Sequence, residues 1–236
     1  MSTSPRKLEH GRVGESIRRA DAIPKVTGEF AYSSDLFAAG MLYGHTLRSP
    51  HARGRIAAVD TTEARGMPGV RAVLTHEDVP GDKRYGLEIP DQPVLAMEEV
   101  RYFGEPIAVV AADHPEQARR AAARIHVEYE PGEPMTDPEH ATEILRELTI
   151  RHGDTEAEGE VSVSGYYELG IQDQAFLGPE SGLAVPDGKG GIDIYVATQW
   201  LHVDRDQVAP CLDLKPEEVR IHLAGVGGAF GGREDL

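Results

Sequence analysis

The order of apolar and polar residues predicts an α/β fold for the first half of the chain. Short runs rich in β-branched and apolar residues, bounded by turn residues, predict strands. The predicted strands are 41–47, 55–59, 69–74 and 107–111. The last of these is apolar throughout, which is typical of a strand buried on both faces. After it, Ala118, Ala121, Ala122 and Ile125 recur at the spacing of one helical face.

Local capping signals place the start of this helix. Asp113 is predicted as its N-cap, with Glu116 as the reciprocal partner. Pro115 stands in the first turn, where a missing N–H costs no hydrogen bond. An alternating run at 125–129 then predicts another strand. We therefore expect residues 16–130 to form one α/β (α+β) domain, behind a disordered tail over residues 1–15.

The stretch 131–159 has a different character. Pro131, Pro134 and Pro138 interrupt it, and residues 131–160 hold nine acidic side chains against two basic ones. A short helix is predicted around 141–148. The charge excess favours a solvated surface linker over a cation site.

Strand patterns return in the last third of the chain. Alternating or apolar runs predict strands at 161–165, 183–185, 192–197 and 219–223. Between the last two, Thr198 is predicted to cap a helix that runs to about residue 212. Residues 160–236 therefore predict a second α/β unit.

Composition narrows the class of protein. The 236 residues suggest one or two domains, and 24 Lys+Arg against 40 Asp+Glu give a net charge of −16. This charge argues against nucleic-acid partners and against anionic membranes. No apolar run reaches the roughly 18 residues of a membrane helix. Because Cys211 is the single cysteine, no internal disulfide is possible, and we expect a cytoplasmic protein.

A glycine-rich loop at 225–232 is the strongest candidate for chemistry. Its glycines allow positive φ and let backbone N–H groups approach an anion or a metal-oxo group, although a flexible tight turn is the alternative. The dinucleotide fingerprint fails, since Phe230 stands at its sixth position. A P-loop nearly matches, but Arg233 and Glu234 replace the required Lys and Ser/Thr. An NTPase is therefore disfavoured.

Other motifs are weaker when taken alone. In the stretch 170–180, a glutamine amide suits an oxo ligand or a heterocycle, but a polar cluster at a strand edge is the simpler interpretation. The ten histidines show no zinc-ligand spacing, and no nucleophile elbow occurs. Cys211 is predicted to be a small buried hydrophobic residue.

Five segments in order resemble one family, the large molybdopterin-binding subunits of xanthine dehydrogenases and related molybdenum hydroxylases. These segments are 18–28, 48–52, 68–70, 103–110 and 127–130. The resemblance implies that residues 16–130 form an α/β-hammerhead domain. Residues 160–236 would then begin the molybdopterin-binding domain and represent only its N-terminal part.

The resemblance also implies site residues. Gln172 matches the family glutamine that hydrogen-bonds an oxo ligand of molybdenum. Phe230 and Gly231, with Gly228, match the loop whose backbone lies against the cofactor. Glu234 matches a glutamate that contacts purine substrates.

Three positions depart from the family pattern. Ala229 stands in place of a common glycine, Gln174 in place of a common histidine, and Gly178 in place of a common glutamate. These differences weaken the prediction of the substrate more than the prediction of the family.

The resemblance further implies a multi-subunit enzyme. We expect no catalytic residue in this chain, because the family's base lies beyond Leu236. The molybdenum-molybdopterin cofactor would be shared with a C-terminal molybdenum-domain chain, and FAD and [2Fe–2S] clusters would lie on partner subunits. Xanthine, hypoxanthine, another N-heterocycle or an aldehyde is the expected substrate. A non-catalytic assembly module that retains the hammerhead fold is the alternative. We also expect exposed apolar surface within residues 160–236.

Overall fold

The computed structural model describes residues 13–14, 16, 19–157 and 159–234. The predicted tail over residues 1–15 therefore lies outside the described residues except at Val13 and Gly14. The strands are β1 (Tyr43–Arg48), β2 (Gly54–Asp60), β3 (Val70–Leu74), β4 (Arg84–Tyr85), β5 (Gln92–Pro93), β6 (Glu99–Val100), β7 (Pro106–Ala112), β8 (His126–Pro131), β9 (Gly182–Pro186), β10 (Ile192–Val196) and β11 (Val219–Leu223). The α-helices are α1 (Ala22–Thr27), α2 (Thr62–Arg65), α3 (Pro115–Ala122) and α4 (Leu201–Cys211).

The chain divides into two compact units. The first unit comprises Ala39–Gln174 and Pro210–Asp213. The second unit comprises Met1–Ala38, Ala175–Ala209 and Leu214–Leu236. None of the helices in the described ranges combines the length and the apolar character needed to cross a membrane.

Strand β7 is the centre of the first unit. It pairs antiparallel with β1 on one side and β3 on the other, so that Val110 lies opposite both His45 and Val73. Val110 is fully buried, as are Ala108 and Ala112. The apolar run at 107–111 therefore forms the central strand that the sequence predicts, because both of its edges are paired and most of its side chains are covered.

Helix α3 covers this sheet with an alanine face. Ala118, Ala121 and Ala122 are buried in one cluster with Val73 and Val110 of the sheet. Alanine suits this position because it is the best helix former and lets the helix backbone approach the strands closely. The predicted helical stripe is confirmed.

The predicted helix cap is wrong by one residue. Pro115 occupies the first helical position, so His114 is the N-cap, and its Nδ1 accepts a hydrogen bond from the Glu116 N–H at 3.2 Å. Asp113 instead forms a paired salt bridge with Arg71, at 2.8 Å for each hydrogen bond. The helix starts later than expected because proline favours the first turn itself.

Two further sheets complete the first unit. Strand β2 pairs antiparallel with β6 and β8, and β4 pairs with β5. Ile56 of β2 packs against Val100 and Ile107 in a second buried cluster. The strands predicted at 55–59 and 125–129 are thus confirmed within one or two residues at each end.

Two local predictions fail between residues 141 and 177. The helix predicted at 141–148 and the strand predicted at 161–165 are both irregular backbone, and no helix or strand occurs in the described residues of this stretch. Its apolar side chains face solvent; Leu145 is 86% exposed and Val163 is 91% exposed. A strand needs a neighbouring strand to pair with, and among the described residues no strand pairs with 161–165. The apolar surface expected within residues 160–236 is confirmed at Val163, whereas Leu145 lies before that range.

The second unit contains a three-stranded sheet, helix α1 and most of helix α4. Strand β10 lies in the middle, antiparallel to β9 and parallel to β11, and α4 connects β10 to β11. Ile194, Val196 and Ile221 of the sheet line a cavity of about 330 Å³ with Val208 of α4. Such a strand–helix–strand connection is the usual way to join two parallel neighbours.

The buried centre of β7 gives a test of the first unit. Val110→Ala removes two methyl groups from a fully buried site, so we expect a loss of about 2 kcal/mol in the free energy of unfolding. The measurement is urea unfolding followed by far-UV circular dichroism. Val163→Ala, at an exposed position of the same unit, is the matched control and should change stability by less than about 0.5 kcal/mol. Equal losses in the two variants would contradict the assignment of β7 as the core strand.

Candidate functional site

The glycine-rich loop leaves the second unit at the end of β11. The Ala224 N–H donates to the Val196 carbonyl at 2.9 Å, which extends the sheet by one residue. Gly225 then forms an isolated parallel bridge with Tyr32. A Cβ on Gly225 would lie 2.2 Å from the Phe30 ring, so only glycine fits there. The start of the loop is therefore fixed by close packing.

The loop reverses direction in a tight turn over residues 229–232. The Gly232 N–H donates to the Ala229 carbonyl at 2.9 Å, and the two central residues, Phe230 and Gly231, have φ of 54° and 86°. Positive φ at both central positions is the signature of a type I′ turn. A left-handed conformation costs a residue such as phenylalanine about 1–2 kcal/mol. The Phe230 side chain is 78% exposed, so its own packing offsets little of that cost.

The same turn leaves open space beside its backbone. Gly228 also has positive φ, at 102°. A Cβ on Gly231 would meet nothing closer than the Glu234 carboxylate at 3.9 Å, so the space beside this residue is open. The Gly231 and Gly232 N–H groups are themselves bonded, to the Gln199 Oε1 at 3.1 Å and to the Ala229 carbonyl at 2.9 Å, so the turn offers space rather than N–H donors at these two residues. The arrangement leaves room for a bulky group lying against the backbone.

A second segment of the same unit crosses the loop at two glycines. The Gly178 N–H donates to the Gly227 carbonyl at 3.2 Å. A Cβ on Gly178 would lie 2.8 Å from the Gly227 nitrogen, and a Cβ on Gly227 would lie 2.5 Å from the Gly178 Cα. The two backbones can approach this closely because neither residue carries a side chain.

The guanidinium of Arg233 holds this crossing together. The side chain is only 3% exposed, and its Nη2 donates to the carbonyls of Gly178 and Pro179 at 2.6 and 3.0 Å. Its Nε donates to the Glu180 carboxylate at 3.0 Å, and the guanidinium lies 4.3 Å from the centroid of the Phe176 ring. Arg233 thus joins residues 176–180 to the end of the loop.

The junction between β10 and α4 contacts the loop from another side. The Gln199 N–H donates to the Arg233 carbonyl at 2.8 Å, and the Gln199 Oε1 accepts from the N–H groups of Gly231 and Arg233 at 3.1 and 3.3 Å. Thr198 accepts from the Trp200 N–H at 3.0 Å, but α4 begins at Leu201, so the predicted cap is wrong: Thr198 lies two residues before the N-cap position and stabilises the turn that leads into the helix. We name the Gln199 and Arg233 pair the loop clasp.

The structure brings together four of the five residues that the resemblance implicates. Phe230, Gly231 and Gly228 share the turn region, and Glu234 follows it, half-buried. Gln172 lies in the exposed irregular stretch of the first unit. Sequence reasoning missed the loop clasp. The polar pair directly after a strand, at 198–199, is the signal that could have pointed to it.

Two titratable groups outside the loop, Cys211 and Asp193, have shifted pKa values with structural causes. Burial raises the pKa of the Cys211 thiol, and the nearby charge of Asp82 raises it further, in keeping with the predicted buried hydrophobic role. On the sheet, Asp193 accepts from His222 and Arg220 at 2.7 Å each, and the hydrogen bond from His222 is the main cause of its lowered pKa. Among the described residues, no three His, Cys, Asp or Glu side chains converge where a metal ion could bind.

Two family models match the chain. The model described as "Aldehyde oxidase and xanthine dehydrogenase, a/b hammerhead domain" covers residues 27–133. The model described as "Molybdopterin cofactor-binding domain" covers residues 136–236. Together they span nearly all of the described chain.

Known proteins give the same result. The chain is 42% identical to a probable xanthine dehydrogenase subunit of Bacillus subtilis, over 92% of this chain and 31% of that protein. It is 34% identical to the nicotinate dehydrogenase large molybdopterin subunit of Eubacterium barkeri, over 95% of this chain and 56% of that protein. The solved aldehyde oxidoreductase of Desulfovibrio gigas superposes with a TM-score of 0.83 at 28% identity, over 91% of this chain and 27% of that one. The chain thus spans between about a third and a half of these two curated relatives.

Arg233 provides a test of how the loop is held. Arg233→Met removes the donor to the Pro179 carbonyl and leaves the buried Gly178 carbonyl without the guanidinium, so we expect a loss of about 3 kcal/mol in the free energy of unfolding. Arg233→Lys keeps the charge but cannot serve the same set of acceptors, and should lose less. Arg220→Met, at an exposed ion pair of the same unit, is the control and should cost less than about 1 kcal/mol. Denaturant unfolding measures all three, and a harmless Arg233→Met would refute the anchoring role.

The left-handed turn gives a second test. At Phe230 only glycine relieves the positive φ, so Phe230→Gly should be more stable than Phe230→Ala by about 1 kcal/mol. The same pair of substitutions at Val163, which lacks positive φ, should show alanine as the more stable variant. Thermal unfolding of the four variants makes the comparison. The same order at both positions would contradict the left-handed geometry.

Proposed function

The chain belongs to the aldehyde oxidase and xanthine dehydrogenase family of molybdenum hydroxylases, and from this we propose that it supplies the first part of a molybdenum site. The observation that carries the proposal is the Phe230–Gly231 turn. A strained aromatic residue, exposed to solvent in a run of glycines, is typical of a functional site rather than of a structural turn. A non-catalytic assembly module would give this strain no purpose.

The cofactor we propose is molybdenum-molybdopterin. When bound, it supplies the redox and oxygen-transfer chemistry. The backbone at Gly228, Phe230 and Gly231 would lie against it, since the space beside Gly231 is open.

Two side chains complete this chain's share of the proposed site. We assign Gln172 to an oxo ligand, to which its neutral amide would donate a hydrogen bond. We assign Glu234 to the substrate, because a carboxylate accepts hydrogen bonds from the N–H groups of a purine or a similar heterocycle. The carboxylate of Glu234 lies near the open space beside Gly231, which supports this role.

The proposed reaction needs polypeptide beyond these residues. We place the catalytic base in a C-terminal molybdenum-domain segment and the FAD and [2Fe–2S] groups on partner subunits. The short share of the relatives that this chain spans agrees with such an arrangement. Within the chain we propose a hammerhead domain over 16–130, an acidic linker over 131–159 and the start of the cofactor domain over 160–236.

The proposed substrate is an N-heterocycle such as xanthine or hypoxanthine, hydroxylated with oxygen derived from water. Two relatives are named for xanthine and for nicotinate, both of them N-heterocycles.

We propose a cytoplasmic location, because a chain with Cys211 as its single cysteine cannot gain stability from an internal disulfide in an oxidising compartment.

The test uses the complete enzyme that contains this chain, purified with its partner subunits. We expect molybdenum close to one atom per chain by elemental analysis, together with dye reduction that depends on xanthine or hypoxanthine. Gln172→Ala should lower kcat at least tenfold, and Glu234→Ala should raise KM for the heterocycle. Glu168→Ala, exposed in the same stretch as Gln172, is the control and should leave both constants unchanged.

Two results would contradict the proposal. An enzyme purified without molybdenum would contradict the proposed cofactor. Unchanged kinetics in both Gln172→Ala and Glu234→Ala would contradict the assignment of these two site residues even if molybdenum were present.

A further inference from the structure

The side chain of Gln199 occupies an unusual place at the loop. It follows strand β10, precedes helix α4, and reaches across to the turn that carries Phe230. We propose that Gln199 is a positioning residue that holds this turn in its left-handed conformation. The inference rests on the proposed function, because it concerns the same loop that we propose to lie against the cofactor.

The hydrogen bonds of Gln199 address the turn directly. Its Oε1 accepts from the N–H of Gly231, the second central residue of the turn, at 3.1 Å. The same oxygen accepts from the Arg233 N–H at 3.3 Å, while the Gln199 N–H donates to the Arg233 carbonyl at 2.8 Å. One residue therefore binds both the second central residue of the turn and the residue that follows the turn.

The turn needs support of this kind. Its internal hydrogen bond, from Gly232 to Ala229, closes the loop but leaves Phe230 in an unfavourable conformation. Strained residues persist where the surroundings over-determine them. The two hydrogen bonds to Gln199 Oε1 hold the N–H groups of Gly231 and Arg233, so the peptide plane that follows Phe230 is fixed and the turn cannot relax freely to another conformation.

Gln199 is well placed to do this because its own backbone is held. Thr198, the residue before it, is buried, accepts from the Trp200 N–H and donates to the Arg233 carbonyl at 3.4 Å. The guanidinium of Arg233 anchors the far end of the clasp in buried surroundings. The Gln199 side chain that carries the acceptor oxygen therefore extends from the short, well-bonded connection between β10 and α4.

The position of Gln199 also makes it testable. The residue is exposed, so substitutions there remove the hydrogen bonds without opening a cavity. Gln199→Leu removes the acceptor, and Gln199→Glu keeps an acceptor oxygen on a side chain of the same length. His202→Leu, at an exposed position of α4, is the matched control for loss of a polar group.

The first measurement is amide hydrogen exchange in the full chain, which requires no cofactor. Gln199→Leu should speed exchange at Gly231 and Arg233 at least tenfold, Gln199→Glu should restore most of the protection, and His202→Leu should leave it unchanged. Unchanged exchange in Gln199→Leu, or no recovery in Gln199→Glu, would overturn the hydrogen-bond account.

The second measurement uses the complete enzyme. Gln199→Leu should shift the molybdenum(V) electron paramagnetic resonance signal and lower kcat about tenfold with little change in KM, and Gln199→Glu should recover both. Faster exchange with an unaltered signal and unaltered kcat would overturn the positioning role. A wild-type enzyme without molybdenum would instead refute the proposed function, and the exchange data would still decide whether Gln199 holds the turn.

Discussion

The buried guanidinium of Arg233 is the interaction on which the geometry of the glycine loop depends. A guanidinium presents five N–H donors in a rigid fork, which lets one side chain serve acceptors in different directions. Here it binds two carbonyls and a carboxylate of residues 178–180, and it lies over the ring of Phe176. The backbone of Arg233 also forms hydrogen bonds with Gln199. Arg233 therefore links three segments of the second unit: the loop itself, residues 176–180 and the junction between β10 and α4.

The first unit is stabilised by a different means. Its central sheet and the helix above it meet through small side chains, with Ala118, Ala121 and Ala122 against Val73 and Val110. Close backbone approach and dense packing replace large side chains in this core. The ion pair of Arg71 and Asp113 in the first unit lies at the surface. The glycine-rich loop of the second unit depends instead on the polar contacts of the buried Arg233 side chain.

Local sequence patterns were sufficient where an element is defined by its own periodicity. The apolar run at 107–111 and the alternation at 219–223 both form strands in the structure, and the alanine stripe forms a helix. The strand expected at 161–165 fails because a strand is completed by a neighbour, which no local pattern supplies. The resemblance brought Phe230 and Gly231 to attention, but the contacts that hold them join residues 32 to 55 positions apart. Such long-range hydrogen bonds leave no periodic trace in the sequence.

The glycine crossing at Gly178 and Gly227 restricts how this chain can exchange residues with other members of its family. Each glycine occupies the volume that a side chain on the other would need, so the two positions are coupled and cannot vary independently. A glutamate at position 178, common in the resembled family, would meet both the Gly227 backbone and the Arg233 guanidinium. Substitutions transferred between homologues at this position are therefore epistatic: a residue that is neutral in one member becomes disruptive in another unless the facing segment changes with it.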